Sequence, residues 1–291
     1  MSLIALFLGL GLERGLTRLL HLRDLRWLDG WFDRGLARSR TLRGPAAWLA
    51  ALTLIAIPVL PVVWLQLAWA DEVPRPVWVL FAAFVLLFSL GPRDLLTELN
   101  HYLAVAEGGD EEAARRAARR LIEADAEPSA THAGAALEAA IVVQANHRIF
   151  SVLFWFVVLG PAGAWASRVA DLGRRRATPG GADGGGVSHA VEVLHGVLAW
   201  IPARLLALSY AVAGSFEDAV ADWRDYYRQA AAGFFRASEA IVAAAGVGAI
   251  RSRCPQADLI GRVRAARRLV VRTLVIWLTV ISLLTIVGHL A

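Results

Sequence analysis

Two arginines stand where a lipid-soluble stretch ought not to carry them. Arg168 sits near the end of the run 149–170 (IFSVLFWFVVLGPAGAWASRVA), and Arg204 lies inside the run 190–214 (AVEVLHGVLAWIPARLLALSYAVAG). Each is close to a proline that interrupts its run, Pro161 or Pro202. A guanidinium at the middle of a bilayer costs roughly 2.5–3.5 kcal/mol on insertion scales. A helix broken at proline also leaves backbone groups that protein or water must satisfy. Together these features predict a polar pocket where the two runs pack, with planar guanidinium forks suited to a phosphate or a carboxylate. The plainer alternative is snorkelling to the interface, which suits Arg168, near the end of its run, better than Arg204. His195 and Glu192 are three apart and share a helix face, as a proton-handling or metal-binding pair or as an internal polar contact. Glu138, Asn146 and His147 precede the run 149–170, either as the rim of the pocket or as an interfacial polar cluster. Glu13, beside Arg14 after a short apolar start, either joins the same pocket or pairs at the membrane face. Ser209 has no recognisable base partner, which excludes a serine hydrolase.

Composition says what must position these residues. The chain has 291 residues, 57% hydrophobic and 19% charged, with a mean hydropathy of +0.51. Soluble domains are nearer 45–50% apolar and about 25% charged. The excess is gathered into runs long enough to cross a bilayer, which excludes an ordinary soluble enzyme, a secreted disulfide scaffold and a disordered regulator. All 30 basic residues are arginine, so P-loop, Schiff-base and kinase-type lysine chemistry is absent. The single cysteine, Cys254, excludes an internal disulfide and a multi-cysteine zinc site. The net charge of +5 reads as arginine facing anionic lipid, not as a nucleic-acid footprint. The sequence leaves any cofactor unknown.

The expected fold is an all-α, polytopic integral membrane protein with about five hydrophobic helices, two of them interrupted by Gly/Pro, plus cytoplasmic helices. Residues 1–45 hold a short apolar helix, too short to span, and a basic segment. Residues 46–91 supply the first two membrane helices, with Pro58 and Pro61 kinking the first. Residues 92–148 are polar, with a solvated helix over 110–127, capped by Asp110 and braced by the pairs Glu111–Arg115 and Glu112–Arg116, then a more apolar helix over 133–148. Residues 149–214 form the interrupted pair joined by a Gly-rich linker, 172–188. Residues 215–268 carry helices near 216–228 and 234–247, and 269–291 form the last span, entered through an arginine collar able to snorkel. Segments 13–45, 91–148 and 215–268 hold eight, six and nine arginines, and loop 71–76 holds one. Positive-inside reasoning places the three rich segments in the cytoplasm and predicts five crossings. The triplet Arg174-Arg175-Arg176, between the third and fourth runs, disagrees; a three-span arrangement with re-entrant runs would accommodate it.

The stretch 146–168 (NHRIFSVLFWFVVLGPAGAWASR) resembles the AmpE family of inner-membrane proteins. So do IPARL at 201–205, the pattern A-x-x-G-S-F-x-x-A at 211–219, Trp223, the Glu13-Arg14 pair, SLGPRD at 89–94 and the final hydrophobic span. The resemblance covers nearly the whole chain. It implies a bacterial inner-membrane protein in β-lactamase regulation, a sensor or signalling modulator working beside the AmpD amidase of cell-wall recycling. Its expected ligand is anionic, phosphorylated or cell-wall-derived, held near Arg168 and Arg204 with Asn146 and Glu138 on the rim. The G-P-x-G-A and I-P-A-R-L elements are also similar to those of the CobD/CbiB family, adenosylcobinamide-phosphate synthases of cobalamin assembly, which gives the alternative, enzymatic reading. That family carries carboxylates before both elements. Here the matching stretches read VVQANHR and HGVLAW, without the oxygen ligands that a magnesium–nucleotide reaction needs. This likeness therefore implies a shared fold more than a shared reaction. A transporter is disfavoured by the few spans and the lack of a visible repeat.

Overall fold

The computed structural model describes residues 25–69, 72–90, 95–122, 133–177, 185–229, 238–251 and 258–290. These residues are mostly helical, with no strand among them. In chain order the helices are α1 (Arg26–Arg38), α2 (Pro45–Ala68), α3 (Arg75–Ser89), α4 (Leu95–Glu107), α5 (Glu111–Ile122), α6 (Ala133–Ala145), a π-turn (Asn146–Phe150), α7 (Ser151–Leu159), α8 (Pro161–Ala177), α9 (Gly186–Ala213), α10 (Phe216–Gln229), α11 (Ser238–Arg251) and α12 (Leu259–Leu290).

Four rods are long and apolar enough to cross a membrane: Pro45–Ala68, Gly134–Leu159, Gly186–Ala213 and Leu259–Val287; Arg75–Ser89 is apolar but shorter. Twenty-four to 29 residues rise about 36–44 Å at 1.5 Å each, more than the ~30 Å hydrocarbon core. On α2 the large side chains Leu49, Leu60, Trp64 and Leu67 face outward, Leu67 with 70% of its surface exposed. α12 likewise exposes Val275, Leu283, Leu284 and Ile286. Apolar faces of this extent are tolerated in lipid and not in water. The chain is a multi-pass membrane protein.

Several boundaries differ from the sequence reading, each for a local reason. The third apolar rod starts at Gly134, not Ile149, because α6, the π-turn and α7 run on without a break. The run is interrupted at Gly160-Pro161 as expected: α8 is a separate helix set off by Gly160, whose φ of 71° lies in the left-handed region that glycine tolerates. The linker 172–188 is helical through Ala177 and again from Gly186, and residues 178–184 lie outside the described set. Pro202 does not break α9, which runs through it, whereas Pro58 and Pro61 lie inside α2, which is one helix as expected. The solvated helix is α5, described from Glu111 to Ile122, and the last residues of its expected range, 123–127, lie outside the described residues. Its Asp110 cap accepts the Ala113 N–H at 2.9 Å, and both expected ion pairs form.

Helix continuity through Pro58 and Pro202 has a visible cause. A proline in a helix leaves the carbonyl four residues earlier without its N–H donor. For Pro58 that carbonyl is Leu54, and the Trp31 indole N–H donates to it at 3.0 Å. For Pro202 it is Leu198, which receives the Trp155 indole N–H at 3.0 Å. Trp165 donates to the Pro58 carbonyl itself at 2.8 Å. At the Gly160-Pro161 break the Gln66 side chain serves both sides, donating to the Leu159 carbonyl at 3.0 Å and accepting from the Ala162 N–H at 2.8 Å. Polar side chains thus replace the water that a bilayer lacks.

The chain divides into two compact units. The first comprises residues 1–92, 151–199 and 285–291. Its core gathers Leu28 and Phe32 of α1, Ala51 and Leu54 of α2, Val85 of α3, Trp165 and Val169 of α8, and Ala190 and Val191 of α9. The second comprises residues 93–150 and 200–284. In it Ala207 of α9 packs with Ile241 and Ala245 of α11, flanked by Trp223 and Tyr226 of α10. The buried Tyr210 hydroxyl donates to the Val142 carbonyl at 3.1 Å. Gly246 lets α11 approach α6, since a Cβ there would meet the Val142 side chain at 2.9 Å.

Candidate functional site

Among the described residues of the first unit, charge gathers around Asp171, on α8. Its carboxylate is sealed, with 1% of the side chain exposed. Oδ2 accepts from Arg168 Nη1 at 3.2 Å and from Arg175 Nε at 3.0 Å, while Oδ1 accepts from Arg174 Nη2 at 3.3 Å. The spacing R-x-x-D-x-x-R-R on a helix produces this: residues three and four apart are surface neighbours, so one carboxylate serves the turn before it and the turn after it. A ring nitrogen of buried His195, on α9, lies within 4.8 Å of a carboxylate oxygen of Asp171. Burial is graded: the Arg168 side chain is 7% exposed, Arg174 18% and Arg175 23%. The carboxylate and Arg168 are therefore internal, and the other two guanidinia reach outward from them.

Arg176 turns to α1, pairing with Asp29 at 2.7 Å and Asp33 at 3.3 Å. The hydrogen bond to Asp29 pushes its pKa further above the ordinary arginine value. The triplet that conflicts with the positive-inside count is therefore no loop. It is the last turn of α8, where cations complement the helix dipole, and carboxylates offset it locally.

In the second unit the π-turn is the polar centre. π-turns are uncommon and gather at functional positions. Asn146 and His147 are both buried. His147 Nε2 lies 3.1 Å from Glu239 Oε1 of α11. Arg148 donates to Glu98 of α4 at 2.7 Å and to Gln144 at 3.0 Å. About two turns earlier, on α6, buried Glu138 pairs with Arg262 of α12 at 2.9 Å. Arg204 is half-buried and served from within its own helix: Nη1 donates to the Trp200 carbonyl at 3.0 Å, and the guanidinium carbon lies 4.1 Å from the centre of the Trp200 ring. This is a cation–π contact.

Of the residues singled out by sequence, Arg168 and His195 belong to the first unit, where both lie at Asp171. Glu138, Asn146 and Arg204 belong to the second. Glu13 lies outside the described residues. Asp171 itself escaped the sequence reading, although its spacing to three arginines was a usable signal. Glu98, Glu239 and Arg262, which hold the π-turn and Glu138 from other helices, gave none.

A family model described as "Regulatory signalling modulator protein AmpE" matches residues 1–291, the whole chain. The chain belongs to the AmpE family. No curated protein and no solved structure matches it. AmpE membership agrees with the resemblance carried by 146–168 and 201–205, whereas the likeness to the CobD/CbiB family finds no support among the matches. The AmpE description is regulatory, and it falls on a chain whose helices make it a multi-pass membrane protein.

Proposed function

We propose that this AmpE protein works in the bacterial inner membrane as a regulator of β-lactamase expression tied to cell-wall recycling. In this reading its input is an anionic ligand, phosphorylated or cell-wall-derived, recognised by the arginines around Asp171. The observation that carries the reading is the graded burial of that cluster. A sealed carboxylate fixes three guanidinia, and the two outer ones reach toward the surface. An arriving oxyanion meets Arg174 and Arg175 before it meets Asp171, and planar guanidinium forks held in place are the preferred donors for such a group. Asp171 is then a positioning residue, with Arg168 and His195 as its buried company.

Glu138, Asn146 and Arg204 complete the proposal as the polar residues that set the second unit's helices, through Arg262, the π-turn and Trp200. The arginine-rich segments 13–45, 91–148 and 215–268 face the cytoplasm in this reading, where 91–148 and 215–268 pass the signal on. The test is the β-lactamase induction ratio in cells carrying Arg174→Gln/Arg175→Gln in place of the wild-type chain. A reduced response with normal membrane levels supports the reading, and an unchanged response refutes it.

A further inference from the structure

The arginine collar of α12 is only partly used by the contacts described above. Arg262 is taken by Glu138 and Arg264 by Glu107 of α4. Arg268 and Arg272 are different: both are exposed, and no carboxylate among the described residues pairs with either. They are four apart, so they project from one face of the helix, where like charges repel unless an anion lies between them. Both line a cavity of about 140 Å3 whose walls include Gly214, Ala249, Ile250 and Leu269.

The cavity forms where three helices of the second unit meet. α9 ends at Ala213, and the Ser215 N–H just beyond it donates to the Ala249 carbonyl of α11 at 3.1 Å. The partial negative charge of the α9 C-terminus favours guanidinium groups nearby without neutralising them. Beyond Arg272 the surface becomes apolar, with Val275 exposed on α12 and Leu208 and Val212 exposed on α9. α9 and α12 are joined there by the Trp277 indole N–H, which donates to the Ser209 hydroxyl at 2.9 Å. A cationic notch thus opens onto an apolar strip, at the point where α12 passes from its charged to its lipid-soluble half.

We propose that this notch seats the headgroup phosphate of an anionic phospholipid. Arg268 and Arg272 clamp the phosphate oxygens, and the acyl chains lie along Leu208, Val212 and Val275. Basic pockets between membrane helices bind lipid headgroups in this way. The apolar strip selects a lipid over free phosphate, because a small anion would make no use of it. The site is separate from the Asp171 cluster, and its failure would leave the reading of that cluster untouched.

The test uses the full chain purified in neutral detergent, titrated with phosphatidylglycerol, phosphatidylcholine or inorganic phosphate and followed by native mass spectrometry. The wild-type chain should retain phosphatidylglycerol about tenfold more tightly than phosphatidylcholine, on the order of what two interfacial arginines supply. Arg268→Gln/Arg272→Gln should erase that preference with no change in melting temperature in lipid-free detergent. If the double variant does not fold, the two single variants carry the test, each losing about threefold. Equal retention of the two lipids, a preference that survives the substitutions, or full displacement of phosphatidylglycerol by millimolar inorganic phosphate overturns the proposal, the last by pointing to a free-phosphate site.

Discussion

The Trp155 indole nitrogen lies 3.0 Å from the Leu198 carbonyl oxygen, the group that Pro202 leaves without a helical donor. α7 thereby supplies what α9 lacks, and α9 stays continuous where its sequence argues for a break. Removing that donor strands a carbonyl in a setting without water, at about 1–3 kcal/mol for an unsatisfied buried group and less where the denatured chain finds partners in the membrane. Trp155→Phe should lower the melting temperature of the detergent-solubilised chain. Trp155→Phe combined with Pro202→Ala should recover part of the loss, because the alanine N–H returns to Leu198. Thermal unfolding of the four chains in the cycle measures this coupling directly.

Trp31 and Leu54 repeat the relationship at Pro58, so Trp31→Phe should also destabilise, again more in the presence of Pro58 than in Pro58→Ala. The two cycles should add, since the tryptophans serve different carbonyls on different helices. Strong non-additivity would show that they belong to one network.

Arg262→Ala should be costly. It leaves the Glu138 carboxylate, 6% exposed, without the guanidinium 2.9 Å away. Breaking a fully buried pair costs about 3–5 kcal/mol; Arg262 is itself 39% exposed, which brings the expected loss to roughly 2 kcal/mol. Glu138→Gln/Arg262→Gln, which removes both charges, should be milder than Arg262→Ala alone. By contrast Arg115→Ala, on the exposed face of α5, should change the melting temperature little, since exposed i,i+4 pairs contribute about 0.3–0.5 kcal/mol.

The sequence foretold the helices whose signals are local. The run 46–70, the Asp110 cap and the final span follow from hydropathy and capping chemistry that sit in a few adjacent residues. It failed where distant residues decide. Pro202 reads as a break because Trp155, which repairs it, is far away in the chain. LGRRRATPGG reads as linker because glycine and clustered like charge suggest one, whereas Asp171 on the preceding turn pairs with Arg174 and Arg175, Asp29 and Asp33 of α1 take Arg176, and α8 continues to Ala177. The sequence drew attention to Arg168 and His195, an arginine and a histidine in apolar surroundings, but not to Asp171, which accepts from Arg168 and lies within 4.8 Å of His195. Arg204, the more buried of the two arginines by sequence, is the more exposed in the fold, because Trp200 one turn away offers it both a carbonyl and an aromatic face.

The central claim is that Asp171 holds guanidinia ready for an anion. The most direct measurement is calorimetric binding of a soluble muramyl peptide carrying free carboxylates to the purified full chain, wild type against Arg174→Gln/Arg175→Gln and against Asp171→Asn. Loss of affinity by about tenfold or more in the arginine variant, with a smaller loss in Asp171→Asn and melting temperatures that show both variants folded, is the predicted result. Equal affinity in all three chains, or no binding to the wild-type chain, would contradict it.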